Sequence, residues 1–62
     1  MLEYTKLVLR KVSFSRELFG KELKKSVRWL GKEELVILHA WCVITFGDIY
    51  SDLISEAFRH AA

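Results

Sequence analysis

A chain of 62 residues holds one domain, close to the lower size at which a single core is stable alone. Its composition is 52% hydrophobic and 29% charged, with no proline, three glycines and a formal net charge of +2. That balance excludes a disordered chain, and the single cysteine, Cys42, excludes an intramolecular disulfide and suits a reducing, cytoplasmic setting.

The first segment runs about 2–12. Tyr4, Leu7, Val8 and Val12 keep helical spacing, with Leu9 as an extra apolar residue. Val8, Val12 and Phe14 also keep period two, so a strand is the rival. Helix is the expectation. The N-terminus shows no uninterrupted apolar run of the kind a signal peptide carries.

The second segment, about 16–30, has the clearest start. Ser15 suits an N-cap. Glu17 sits where the helix dipole favours a negative charge. Phe14 and Phe19 fall at the two positions of a hydrophobic staple. Gly31 can take the left-handed conformation that closes such a helix.

The third segment, about 33–46, begins at Glu33-Glu34 and stops at Gly47. Between them, Leu35 to Phe46 is apolar on all sides, the mark of a helix buried by its neighbours. Its β-branched residues make a buried strand the rival, but its length favours helix. Twelve residues fall short of the roughly 20 that a bilayer span needs. The fourth segment, about 49–61, would be capped by Asp48. Tyr50, Ile54, Phe58 and Ala61 lie on its broad apolar face. Short connections then predict an all-α, compact four-helix single domain over 1–62, with the hydrophobic third helix central.

Charge is unevenly placed. Nine of the ten Lys and Arg residues fall in 1–32 against three acids, whereas 33–62 holds five acids and only Arg59. On a helical wheel Lys21, Lys24, Lys25, Arg28 and Lys32 share one face of the second helix, opposite Phe19, Leu23, Val27 and Leu30. Five close cations suit phosphates, and Trp29 at their edge is placed to stack on a base. The plainer explanation is that the acidic C-terminal half neutralises this face. The same helix pair fails as a helix-turn-helix, because the third helix offers no polar recognition surface.

His39 and Cys42 stand at i and i+3, but a structural zinc site needs four ligands and the only other histidine is His60. A packed histidine and a buried thiol are the expectation, with no metal. There is no glycine-rich phosphate loop and no nucleophile motif, so the chain reads as non-enzymatic and without a cofactor. Self-association carries more weight. So small a chain with so much apolar surface leaves a patch to cover, and a twofold homodimer through Tyr50, Ile54, Phe58 and Ala61 is the natural solution. Nucleic acid bound at the basic face is the alternative, and a membrane-surface protein the third.

The opening Met1-Leu2-Glu3-Tyr4-Thr5-Lys6, then Lys11-Val12-Ser13-Phe14, Leu18-Phe19, Lys21-Glu22-Leu23-Lys24-Lys25, Trp41-Cys42 and Phe46-Gly47 together resemble a group of short bacterial proteins that carry no assigned activity. The resemblance covers the first 47 residues and implies an intracellular, single-domain protein.

Overall fold

A computed structural model describes residues 2–59, and these are all-helical. Among the described residues there are three helices: α1 (Leu2–Lys11), α2 (Arg16–Trp29) and α3 (Lys32–Arg59). No strand occurs among the described residues, which settles the strand alternatives for the first and third segments.

α1 is helical as expected, but its buried face is rotated from the expected one. Thr5 and Leu9 are buried, with Leu2 and Val12 packed beside the core, while Tyr4 and Leu7 face solvent. The row 2, 5, 9, 12 keeps helical spacing as well as the row through Tyr4 does, and it puts Leu9 rather than Tyr4 inside. Thr5 is tolerated there because no buried side-chain polar atom among the described residues lacks a partner. Glu3 in the first turn pairs with Lys6 at 3.5 Å, and Arg10 and Lys11 complement the dipole at the other end.

The turn from α1 to α2 is closed by Ser13, whose hydroxyl donates to the Arg10 carbonyl at 2.8 Å. Ser15 then caps α2 as expected. Its backbone is extended, and its side-chain oxygen accepts from the Leu18 N–H at 3.3 Å. The staple does not form: Phe19 is wholly buried, but Phe14 is 80% exposed. Phe19 is taken up by the core between α2 and α3, against Phe46 and Tyr50.

The connection from α2 to α3 takes two residues. Leu30 ends α2 in an extended conformation and donates its N–H to the Ser26 carbonyl. Gly31 has no positive φ. Its carbonyl accepts from the Leu35 N–H at 2.9 Å, so it opens α3 rather than closing α2 in a left-handed turn.

The four-helix count is corrected to three. α3 runs through Gly47 and Asp48, so Asp48 caps nothing and lies exposed inside a 28-residue helix. Glycine inside a helix costs about 1 kcal/mol relative to alanine, too little to end a helix held by packing on either side. The break comes instead as a bend at Tyr50 (φ −126°, ψ 28°). A straight helix of this length would be about 42 Å long, yet the molecule measures 26 × 21 × 19 Å. The two arms fold back on each other, and the rings of His39 and Phe58 stack at 4.5 Å.

Phe19 sits at the middle of the core. It meets Phe46 edge-on at 4.8 Å and stacks on Tyr50 at 4.5 Å. Leu9, Leu23, Leu38, Cys42 and Ile54 complete the fully buried set. The Tyr50 hydroxyl donates to the Ser13 carbonyl at 2.6 Å, tying the bend of α3 to the turn after α1. Gly20 lets the C-terminal arm close on α2, with Leu53 lying over it. Trp41 edges Phe46 and carries Lys6 and Arg10 of α1 over its ring, each 5.8 Å from the centroid.

Candidate functional site

Two surfaces of the fold have no partner among the described residues. The first is the basic face of α2. Lys21, Lys24, Lys25, Arg28 and Lys32 are all exposed, and none of them makes an ion pair among the described residues. Two of the five acids of the C-terminal half are engaged elsewhere, and Glu33, Glu34 and Asp48 form no ion pair among the described residues. Asp52 pairs in a two-pronged contact with Arg16, and Glu56 pairs with Arg59 at 3.8 Å. The Arg16 guanidinium holds the Asp52 carboxyl below the usual carboxylate range, chiefly by hydrogen bonding. The same contact raises Arg16. The plainer explanation of the charge split is therefore not realised by direct pairing: the two halves meet at Arg16, off the basic face.

Trp29 is 71% exposed at the end of this face. Beside it a groove of about 360 Å³ runs between α1 and α2, with Tyr4, Val8, Glu22, Lys25, Ser26 and Trp29 among its lining. A shallower depression on the other flank is lined by Arg16, Glu17, Gly20, Lys21, Lys24 and Leu53.

The second surface is the outward side of α3. The helix was expected to be buried all round. Ahead of the bend only the row Leu38, Cys42, Phe46 is buried, because α1, α2 and the returning C-terminal arm all pack against one side. Val36 (71%), Ile37 (51%), Val43 (52%) and Ile44 (84%) face solvent, with Ala40 exposed and Gly47 half-buried between them. Ile37, Ala40, Ile44 and Gly47 follow a 3-4-3 spacing, the repeat of a helix–helix seam. The accessible surface of 4416 Å² is close to the roughly 4,200 Å² expected of a compact monomer of this mass. The surface is therefore unusual in its chemistry rather than its extent.

The interface expected from the fourth segment is corrected by the same packing. Tyr50 and Ile54 are core residues, 8% and 2% exposed, and Phe58 is half-buried against His39. The fold-back of α3 turns this face inward. Ala61 lies outside the described residues.

Cys42 is wholly buried, and burial pushes its thiol up to about 12, so it is a protonated packing group at neutral pH. His39, expected to be packed, is exposed, with its ring on Phe58. His60 lies outside the described residues, and no group of three or more metal-ligating side chains occurs among the described ones. Sequence reasoning missed Tyr4 as a surface residue and the outward stripe of α3. The stripe was legible as a heptad-like spacing, but the continuous apolar run around it hid which side would be left open. No protein-family profile matches the chain, and neither curated proteins nor solved structures give a significant match to it.

Proposed function

We propose that this protein is a small, non-enzymatic helical module that associates with a second copy of itself through the outward side of α3. The observation that carries the reading is the stripe Val36, Ile37, Ala40, Val43 and Ile44, exposed and continued by the half-buried Gly47, which no described residue covers. Small residues at Ala40 and Gly47 permit close approach of two helices. Lys32 and Asp48 lie equally far on either side of Ala40. An antiparallel pair centred there brings Lys32 of one copy toward Asp48 of the other, but it brings Glu33 and Glu34 there as well, so charge does not set the orientation of the pair.

Burying the four large side chains in both copies contributes on the order of 10 kcal/mol gross. Association costs roughly 4–15 kcal/mol. At the low end of that cost the balance is about −5 to −6 kcal/mol, a weak dimer with a Kd on the order of 100 μM. Light scattering coupled to size exclusion tests it. Wild type is expected to approach twice the 7.3 kDa chain mass as concentration rises, and Ile44→Lys to stay monomeric with unchanged helicity. A wild-type chain that remains at 7.3 kDa throughout overturns the reading.

A second reading places the same stripe against a lipid surface. It is favoured by α3 being, by length and composition, apolar enough to cross a membrane. The bend at Tyr50 means that α3 does not present its full length in one line. Co-sedimentation with vesicles, lost in Ile44→Lys, would favour this reading over the dimer.

A further inference from the structure

The groove between α1 and α2 combines three features that neither the core nor the α3 stripe explains. Two aromatic rings from different helices, Tyr4 (64% exposed) and Trp29 (71% exposed), stand along it. Both expose large apolar area to water, although Leu9 and Phe19 on the same two helices are wholly buried. The groove's volume of about 360 Å³ is at the small end of the roughly 300–1,000 Å³ typical of ligand sites. Of the α2 cations Lys25 lines the groove, and the basic face continues from it round the helix through Arg28 to Lys21 and Lys24, which border the depression on the other flank; none of the four has a carboxylate within ion-pair distance among the described residues.

We infer that this groove binds single-stranded nucleic acid, with bases against Tyr4 and Trp29 and phosphates along the basic face of α2. The carboxylates nearby set the arrangement. Glu22 lines the groove itself. It repels a phosphate there and accepts from the amino group of a base, so the base enters the groove and the backbone stays outside. Glu17 stands at the far end of the face, beside Lys21 and Lys24, and limits the phosphate track to the stretch from Lys21 onward. Base–aromatic stacking tolerates any sequence because every base has a π-face. A duplex has no free base to offer, so it engages only the cations.

The track from Lys21 to Arg28 is about 10 Å long, room for about three phosphates, which predicts a fall in affinity of about 20-fold between 50 and 200 mM salt. None of these residues is on the α3 stripe, so the inference stands apart from self-association.

Fluorescence anisotropy with a labelled single-stranded oligonucleotide tests it, as DNA and as RNA, against the matching duplex, heparin and vesicles containing phosphatidylserine. Single strands of either sugar are expected to bind more tightly than duplex. Trp29→Ala is expected to lose about 5- to 150-fold in single-strand affinity, Trp29→Phe to keep most of it, and both to retain the circular dichroism of wild type. Equal binding to single strand, duplex and heparin, unmoved by Trp29→Ala, overturns the inference in favour of a plain polyanion surface. Binding to vesicles with none to oligonucleotides at 50 mM salt overturns it in favour of a lipid headgroup site.

Discussion

Replacing Gly47 with alanine separates a continuous α3 from a chain that breaks between two helices. Gly47 has no positive φ and lies within α3, three residues before the bend. A Cβ built there meets only the Val43 Cγ1, at 3.7 Å, an ordinary van der Waals contact. The substitution therefore brings the helix-propensity difference of about 0.8–1 kcal/mol with no steric opposition. For a domain of this size, 1 kcal/mol moves the melting temperature by about 4–8 °C. Thermal melts followed by far-UV circular dichroism read the change directly. Because Gly47 is also on the α3 stripe, the comparison belongs in the Ile44→Lys background, where association does not contribute. The expected result is a higher melting temperature with an unchanged urea m-value. A lower one would falsify the reasoning, because it means that residue 47 needs a conformation only glycine adopts and that the helix ends there.

Two further outcomes follow from the contacts around the bend and the ion pair. Tyr50→Phe keeps the ring on Phe19 but removes the donor to the Ser13 carbonyl; a loss of about 1–2 kcal/mol in urea denaturation is expected, and an unchanged midpoint would show that the hydroxyl contributes nothing. The Asp52 carboxyl is depressed in the folded protein, so the unfolded chain binds more protons in the window just below the usual carboxylate range. The stability contributed by the pair is therefore present above that range and is lost as pH falls through the folded value. Both partners are exposed, and the effect is small. Asp52→Asn should differ from wild type more at pH 7 than at pH 2, and an equal difference at both would dismiss the ion pair as its source.

Helix existence was legible because the signals were local. Ser15 and Glu17 mark the start of α2 by chemistry that needs no tertiary contact, and the cap is where they place it. What eluded local reading depended on where the chain turns back. Gly47-Asp48 looks like a stop followed by a cap, yet packing carries the helix through it and moves the break to Tyr50. That shift of three residues turns Tyr50 and Ile54 from surface into core. It also leaves the opposite side of α3 open. The basic face survived as named, since i, i+3, i+4 spacing on one helix is independent of what packs behind it. The missing neutralisation did not show in the sequence, because a count of acids says nothing about Asp52 being held at Arg16. Tyr4 was misplaced for a related reason. Two helical rows of similar apolarity compete on α1, and only the partner surface decides between them.

The hydrogen bond from Tyr50 to Ser13 bears on how the protein comes into being on a ribosome. The core centre on α2, Phe19, has its aromatic neighbours Phe46 and Tyr50 in the last third of the chain. At about 5–20 residues per second, translation from Trp29 to Ala57 takes on the order of 1–6 s. For that interval α1 and α2 have been made but lack the α3 side chains that close the core around Leu9, Phe19 and Leu23. The fold is completed only once the bend of α3 is available, so a chain truncated before Tyr50 and released would lack the ring that stacks on Phe19 and the hydroxyl that holds the Ser13 carbonyl.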